Sequence, residues 1–266
     1  MWKLLCQSVP GVSHETAGLP CQDHSLGEWT QVDGETVLLL ACADGAGSAE
    51  HAEVGAQIAC EAIVREMREA QGGGLRISDI DGELMMAWHR RVREQLNAEA
   101  DRRSSRLRDF ACTLLAAVVG EQSAVFSQIG DGAIIRQEGD AYRTVFWPQS
   151  GEYLNMTNFL TDEGFESRVE FHFHSERVDE LALLTDGLQM LALRFADKSV
   201  HGPFFLPMFQ VLRAAEPPSS LETPLRDFLT SPQVNRRTDD DKTLILATRR
   251  LPDDAVHLVR QPEPPD

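Results

Sequence analysis

The sequence predicts an α+β domain in which helices pack on β-sheets, and two observations favour this class. The hydrophobic pattern changes its period along the chain, from strands to two long helices, a block of short strands, further helices and a last strand. No linker or internal repeat interrupts this order, and 266 residues with 42% hydrophobic content can bury a sizeable core. We therefore expect one domain rather than two small ones.

The first half of the chain is predicted to contain two strands and two long helices. Apolar residues predict strands at 2–9 and 37–43, and residues 12–23 are expected to form a polar loop. Helical spacing of apolar residues predicts one helix at 50–69 and a second at 78–103.

The second half is predicted to start with four strands, which we expect to pair as an antiparallel meander because their connections are short. These strands lie at 111–119, 124–129, 133–136 and 142–146. The later segments are an irregular stretch at 147–161, strands at 169–173 and 180–185, helices at 188–195, 204–215 and 221–229, and a final strand at 243–247.

Residues 1–258 are expected to form the domain, and the Pro-rich residues 259–266 are expected to form a disordered tail.

The sequence also indicates a cellular compartment. The N-terminus does not resemble a secretory signal, and no apolar run approaches the ~20 residues of a membrane span. Five cysteines without a Cys-x-x-Cys pair are typical of free thiols in a reducing compartment, so we predict a cytoplasmic protein.

The net charge of −17 restricts the possible partners. Nucleic acids and anionic membranes bind basic surfaces, so neither is an expected partner. A phosphate ligand would also be repelled unless cations compensate locally, and bound divalent metals could supply that charge. The sequence predicts no particular oligomeric state.

Aspartates follow three of the predicted strands and precede a fourth. The Asp-Gly pairs Asp44-Gly45, Asp131-Gly132 and Asp186-Gly187 each follow an apolar segment, and Asp239 to Asp241 enter the last strand. If these four strand ends converge, their carboxylates form an all-oxygen site for hard divalent cations. Two further pairs have simpler interpretations, Asp33-Gly34 as a hairpin turn and Asp81-Gly82 as a local feature of a helix start.

An all-oxygen site predicts Mg²⁺ or Mn²⁺ and the hydrolysis of a phosphoester. Asp44 could bridge two ions with the Gly45 carbonyl as a further ligand, because glycine lets the backbone approach closely. Asp186 and Asp240 could complete the shell of one ion. Such a pair of ions would activate a water for attack on phosphorus and neutralise phosphate charge.

Motifs for other chemistries are absent or weak. The histidines lack a zinc motif, and His172 and His174 on one predicted strand are expected to have a surface or core role. No Gly-x-Ser-x-Gly elbow occurs, and the glycines at 72–74 lack the Lys-Ser/Thr of a phosphate loop. The glycine-rich turn 45–48 before a helix is a weaker, anion-binding alternative.

Several motifs together resemble the type 2C metal-dependent serine/threonine protein phosphatases, and the resemblance covers nearly the whole chain. The motifs are Ala43-Asp44-Gly45-Ala46-Gly47, Gly130-Asp131-Gly132, Thr185-Asp186-Gly187 and Asp240-Asp241-Lys242-Thr243. Further segments look like a bacterial subgroup with small enterobacterial members. They are Gly11-Val12-Ser13-His14, Pro20-Cys21-Gln22-Asp23, Asp109-Phe110-Ala111-Cys112-Thr113, 151–157 and 238–244.

The resemblance implies a four-layer α-β-β-α sandwich, in which two antiparallel sheets are flanked by helices and the metals lie at one edge. The irregular stretch 147–161 falls where the family carries a mobile flap beside the site. The implied substrates are phosphorylated proteins, and the implied cofactors are two or three Mn²⁺ or Mg²⁺ ions.

The resemblance also implies roles for individual residues. Asp44 would bridge two ions, with the Gly45 carbonyl on one of them, and a second set of carboxylates would hold the other ion. That set is Asp186 and Asp240, while Asp131 with Asp186 would serve a third, weaker ion. Asp23 would hold a water in the shell of a metal.

Two positions depart from the family pattern. Gln22 stands where the family has glutamate, and an amide is a poorer ligand than a carboxylate for a hard cation. Gly18 stands four residues earlier, where the family places an arginine that grips phosphate. His14 could substitute for that arginine, or it could serve as a hydrogen-bonding residue of the loop.

These features predict a phosphatase for phosphoserine and phosphothreonine in proteins. The alternative is a pseudophosphatase, or phosphoprotein-binding module without turnover, which Gln22 and the missing arginine favour. Retention of the four aspartates favours the enzyme, because a binding module does not need all four. A third possibility is a phosphatase for a small phosphoester.

Overall fold

Two five-stranded antiparallel sheets lie face to face between two layers of helices. The computed structural model describes residues 1–32, 34–150 and 157–252. The four-layer α-β-β-α sandwich predicted for this chain is confirmed. Among the described residues, none of the helices combines the length and the apolar character that a membrane crossing needs.

The strands are β1 (Lys3–Val9), β2 (Asp23–Val32), β3 (Glu35–Asp44), β4 (Leu114–Val119), β5 (Ala124–Ile129), β6 (Ala133–Glu138), β7 (Ala141–Thr144), β8 (Glu170–His174), β9 (Glu180–Leu184), β10 (Leu193–Arg194), β11 (Ser199–Val200) and β12 (Lys242–Thr248). The helices are α1 (Val12–Ala17), α2 (Ala52–Gly72), α3 (Gly82–Arg103), α4 (Gln189–Ala192), α5 (Gly202–Ala214), α6 (Glu222–Leu229) and α7 (Pro232–Asn235). Short 3₁₀ turns lie at Ile77–Asp79, Leu107–Phe110, Phe165–Ser167, Asp186–Leu188 and Pro218–Leu221.

The strand order places distant parts of the chain side by side. The first sheet has the order β1-β12-β9-β6-β7, and the second has the order β2-β3-β4-β5-β8. The first strand of the chain therefore pairs with the last, from Lys3 opposite Thr248 to Val9 opposite Lys242. Strands β10 and β11 form a separate two-stranded ribbon.

Both faces of the central strands are buried, which explains their continuous apolar sequences. In β3, Leu38 and Leu40 pack against the other sheet, whereas Leu39 and Ala41 face the layer of α2 and α3. Helices α5 and α6 cover the outer face of the first sheet, where Phe205 and Phe209 are fully buried. The apolar core between the sheets thus holds the strand ends in fixed relative positions.

The predicted meander is wrong, because the chain changes sheets in the middle of it. Strand β5 belongs to the second sheet and β6 to the first, so residues 130–132 cross from one sheet to the other at the rim. Gly130 has φ +109°, a conformation that glycine adopts readily and that allows the abrupt change of direction. The crossover places Asp131 at the edge of the sandwich.

One loop prediction and two helix predictions also need correction. The polar segment 12–23 contains α1, which ends at Gly18 with φ +69°. The second long helix begins at Gly82 rather than Ser78, because Asp81 caps it by accepting a hydrogen bond from the Leu84 backbone N–H at 2.8 Å. The helix predicted at 188–195 is only α4, since the chain continues into the β10–β11 ribbon.

Some predictions fall on residues outside those described. Strands β2 and β3 form the expected hairpin, with Val32 opposite Glu35 and Gly34 at φ +85°, but Asp33 itself lies outside the described residues. Residues 151–156 of the predicted flap and the predicted tail 259–266 also lie outside them.

A fully buried ion pair joins α5 to the first sheet. Arg213 donates to both carboxylate oxygens of Glu180 at 2.7 and 2.6 Å, and neither side chain is exposed. Tyr142 and Thr248 donate further hydrogen bonds to the same carboxylate, at 2.8 and 3.0 Å. The Glu180 carboxylate therefore accepts four hydrogen bonds, and their donors lie on α5, β7 and β12.

We expect Arg213→Met to lower the free energy of unfolding by about 3–5 kcal/mol, because it leaves the Glu180 charge buried without its cation. Urea unfolding followed by circular dichroism measures this loss. The double variant Arg213→Met/Glu180→Leu removes both charges and should regain a large part of the stability. A double variant no more stable than the single one would show that the uncompensated charge is not the cause.

Candidate metal centre

A cavity of about 410 Å³ opens where ends of both sheets meet at one edge of the sandwich. It lies at the end of β3, the β5–β6 crossover, the end of β9 and the entrance to β12. Its described lining residues are His14, Gln22, Asp44, Gly45, Ala46, Gly47, Ser48, Asp131, Thr157, Phe159, Asp186 and Asp240. The structure therefore brings together residues that are up to 226 positions apart in the sequence (14 to 240).

Strand β3 positions Asp44 rigidly at its end. The Asp44 backbone N–H donates to Thr113 Oγ1 at 2.9 Å, and the Thr113 N–H donates back to the Asp44 carbonyl at 2.8 Å. Gly45 follows in a crowded position, where an added Cβ would lie 2.6 Å from the Ala52 carbonyl oxygen. Only glycine fits there, so the backbone of this turn lies directly against the start of α2.

Three carboxylates meet in the cavity. Oxygen atoms of Asp44, Asp131 and Asp186 all lie within 4.8 Å of one another. Asp131 Oδ1 is buried without a hydrogen-bond partner among the described residues, although Gln189 Nε2 holds the Asp131 backbone carbonyl. Asp240 lines the same cavity and accepts the Asp241 backbone N–H on its Oδ1 at 2.8 Å.

Burial and mutual repulsion make these carboxylates unusually hard to ionise. Burial, followed by the charges of neighbouring aspartates, raises the pKa of Asp44 far above its usual range and that of Asp186 to about 8. Burial is also the main reason that the pKa of Asp131 is raised. No lysine or arginine is among the described residues that line the cavity, and His14 is the only basic side chain among them.

These observations fit a site for divalent cations. The donor set consists of oxygen atoms, which Mg²⁺ and Mn²⁺ prefer, and it contains unpartnered buried oxygens. A bound cation would reverse the electrostatic penalty that raises the carboxylate pKa values.

Asp23 lies beneath the cavity rather than in its lining. It stands opposite Asp44 in the β2–β3 register, and its Oδ2 accepts a hydrogen bond from Thr185 Oγ1 at 2.7 Å. Its Oδ1 is buried without a partner among the described residues, and burial raises the pKa of Asp23 to about 7. Gln22 lines the cavity, and its Oε1 is likewise buried and unpartnered in the described part of the chain.

His14 lines the cavity, whereas Gly18, at the position of the family's arginine, does not. The Nδ1 atom of His14 lies 2.8 Å from Oδ2 of Asp241, so His14 makes the structural hydrogen bond that was one of its two expected roles. Asp241 also accepts the backbone N–H groups of Gly11 at 2.6 Å and Gln22 at 2.5 Å. This buried carboxylate therefore fastens the segment from α1 to β2 onto the entrance of β12.

Sequence reasoning missed Asp241, Thr113 and Thr185 as supports of the site. Period-two alternation, extended from β12 to the two residues before it, could have separated the exposed Asp240 from the buried Asp241. The two threonines carry no comparable signal, because their partners are distant in sequence. His172 and His174 lie on β8, where their rings contact Phe126, Phe146 and each other, and neither lines the cavity.

Sequence comparison gives two matches. The family model described as Protein phosphatase 2C matches residues 10–230. The chain is 41% identical over 251 residues to "Serine/threonine-protein phosphatase 3" of Escherichia coli (strain K12), covering 92% of this chain and 98% of that protein.

Solved structures with the same fold include two serine/threonine phosphatases. The serine/threonine phosphatase Stp1 from Staphylococcus aureus matches with a TM-score of 0.56 and 15% identity, over 94% of this chain and 96% of that one. The catalytic domain of the serine threonine protein phosphatase PstP, in complex with 2 manganese ions, matches with a TM-score of 0.57 and 16% identity, over 93% and 97% of the two chains. At these identities the likeness shows the fold alone.

The charge of Asp186 should oppose folding when metal is absent. Its pKa of about 8 in the folded protein exceeds the ordinary value of 3.8, so stability is lost as the pH rises from about 4 towards 8. We expect Asp186→Asn to raise the melting temperature of chelator-treated protein at about pH 8 and to raise it less at about pH 5. Each kcal/mol of relief corresponds to about 2–4 °C.

The matched control is Asp227→Asn, which changes an exposed aspartate on α6. It should leave the melting temperature unchanged at both pH values. A gain for Asp186→Asn that is equal at the two pH values, or absent, would contradict the electrostatic explanation.

Proposed function

The chain belongs to the protein phosphatase 2C family, and from this premise we propose that the carboxylates of its cavity hold the divalent cations used to hydrolyse phosphoserine and phosphothreonine in proteins. The family membership and the named relative make it a metal-dependent serine/threonine protein phosphatase. The single observation that carries the site assignment is the cluster of Asp44, Asp131 and Asp186 within 4.8 Å in a cavity without a lining lysine or arginine among the described residues.

We assign the cation ligands as follows. Asp44 would contribute to holding two ions, with the Gly45 carbonyl as a ligand of one of them. Asp186 and Asp240 would hold the other ion, and Asp131 with Asp186 would serve a third, weaker ion. The oxygen-only lining supports Mn²⁺ or Mg²⁺ over zinc.

The bound cations would neutralise phosphate charge and make a water molecule a better nucleophile. The residues of the chain hold and orient the participants. Thr113 fixes the Asp44 backbone, and Thr185 holds one oxygen of Asp23. The other oxygen of Asp23 is unpartnered in the described structure, and we propose that it accepts a hydrogen bond from a water in the site.

A pseudophosphatase that binds without turnover is not favoured. Four aspartates line the cavity, and the raised pKa values of Asp44, Asp131 and Asp186 make such a cluster costly for a protein that does not bind cations. Gln22 and Gly18 still depart from the family pattern, and His14 is the basic side chain that reaches the cavity in place of an arginine. We propose that His14 faces the phosphorylated residue of the substrate.

The cellular setting and the domain bounds are also proposals. All five cysteines are free, which supports a reducing compartment and therefore the cytoplasm. Residues 1–252, where described, contribute to a single sandwich, which supports one domain over 1–258.

We expect hydrolysis of a phosphoserine peptide to require a divalent cation. Activity should disappear with chelator and return with Mn²⁺, whereas Na⁺ should not restore it, because only a multivalent cation can offset the clustered carboxylate charge. Released inorganic phosphate measures the reaction. Full turnover by protein stripped of metal would exclude the mechanism.

A second arm of the same assay uses Asp44→Asn, which removes the proposed bridging charge. It should lower the rate by at least about 10²-fold, on the scale of removing a major electrostatic stabiliser. Asp81→Asn is the matched control, because Asp81 caps α3 and asparagine caps helices equally well. Equal losses from the two substitutions would mean that the Asp-Gly pairs are misassigned.

Gln22→Glu should tighten cation binding, because it places a carboxylate where Gln22 Oε1 is buried and unpartnered. The Mn²⁺ concentration for half-maximal activity should fall, and calorimetric titration should show tighter Mn²⁺ binding. The gain can be modest, since water can replace one missing ligand.

The control for this titration is Gln31→Glu, an exposed position on β2 that should leave the curves unchanged. Identical titrations for wild type and Gln22→Glu would show that Gln22 does not face the cations.

A further inference from the structure

One basic side chain faces a cavity otherwise rich in carboxylates. Among the described residues that line the cavity, His14 is the only histidine, and lysine and arginine do not occur. Its side chain is 13% exposed, so the ring is largely enclosed and still open to the cavity. The remaining lining groups are carboxylates, small residues, an amide, two hydroxyls and Phe159.

Asp241 holds this ring in a defined orientation. The Asp241 side chain is 2% exposed and accepts the backbone N–H groups of Gly11 and Gln22, so it cannot move without breaking both hydrogen bonds. Because an ionised carboxylate only accepts hydrogen bonds, the histidine nitrogen beside it, Nδ1, must carry a hydrogen. The second ring nitrogen, Nε2, is then the atom left to exchange a proton with a ligand.

From this arrangement we infer that His14 is a catalytic residue that gives the proton of Nε2 to the seryl or threonyl oxygen as it leaves phosphorus, and that Asp241 is its positioning residue. The inference rests on the proposed phosphatase function. A carboxylate that orients a histidine from its far nitrogen is a recurring arrangement for proton transfer.

The reaction requires such a donor because an alkoxide is a poor leaving group. The carboxylates of the cavity are assigned to the cations and are then ionised, so they have no proton to give. The amide of Gln22 and the hydroxyls of Ser48 and Thr157 hold their protons too tightly for this transfer. His14 is the described lining group left to give this proton, because Asp241 holds its Nδ1 and Nε2 remains for the ligand.

The atoms and electrons of the step balance. Water attacks phosphorus, and the P–Oγ bond breaks with its electron pair remaining on the seryl oxygen. That oxygen takes the proton of His14 Nε2, which gives the free alcohol and a neutral imidazole. The attacking water releases a proton to solvent, and His14 regains one from solvent, so the net reaction is hydrolysis.

A different role for His14 would be a hydrogen bond to a phosphate oxygen, and the leaving group distinguishes the two roles. A contact to phosphate is the same for every phosphoester, so its loss lowers all rates by a similar factor. A proton given to the leaving oxygen matters for alcohols and matters little for phenols that leave readily as anions.

The test compares wild type with His14→Asn over a series of substrates. Asparagine places its amide nitrogen near the position of Nδ1, so it can keep the hydrogen bond to Asp241 while removing Nε2. The substrates are a phosphoserine peptide and aryl phosphates from phenyl to p-nitrophenyl phosphate, with Mn²⁺ saturating. We expect kcat/KM for the peptide to fall about 10²–10⁴-fold, the range of general acid catalysis, and the loss to shrink steadily towards p-nitrophenyl phosphate.

His172→Asn is the control, since this exposed histidine on β8 does not line the cavity. It should preserve the rates for the whole series. If His14→Asn does not give a folded protein by its melting curve, His14→Gln is measured in the same series.

Equal losses of kcat/KM for all substrates would overturn the inference, because they indicate a contact to phosphate or a structural role. No loss with the peptide would overturn it as well. Failure of the phosphatase function itself would be recognised separately, since the wild-type protein would then not hydrolyse the peptide with Mn²⁺.

Discussion

The repulsion among buried carboxylates is the interaction on which the site depends. Asp44, Asp131 and Asp186 have oxygens within 4.8 Å of one another, and no lining lysine or arginine offsets their charge within the described chain. Few proteins would keep such a cluster for stability, because each ionised carboxylate raises the cost of ionising its neighbours. The cluster is understandable as half of an ion-binding site, in which divalent cations supply the missing positive charge.

The sandwich is what holds the repelling groups together. Asp44 ends a strand of the second sheet, whereas Asp186 and Asp240 lie at ends of strands in the first sheet. Their separation is therefore set by the apolar core between the sheets, which includes Leu40 and Leu183. Asp241 adds polar contacts, because its carboxylate holds the segment from α1 to β2, which includes His14 and Gln22, at the entrance of β12.

Much of the fold and the site could be predicted from the sequence, but the sheet crossover and the supporting contacts of the site could not. Aspartates at strand ends were visible because long apolar runs precede Asp44 and Asp186, and the motif order indicated the family. The meander was wrong because strand propensity does not say which sheet a strand joins, so the crossover at Asp131 could not be seen. Asp240 lines the cavity, whereas Asp241 accepts hydrogen bonds from Gly11 and Gln22. These two roles could not be separated from the sequence, because Gly11 and Gln22 are more than 200 residues away from Asp241.

The most direct measurement of the central claim is X-ray diffraction from crystals grown with Mn²⁺, with data collected at the manganese absorption edge. The account predicts anomalous peaks inside the cavity, one beside Asp44 and the Gly45 carbonyl and another among Asp44, Asp186 and Asp240. Crystals with the cavity accessible to solvent and saturating Mn²⁺ but no anomalous peak among these carboxylates would contradict it.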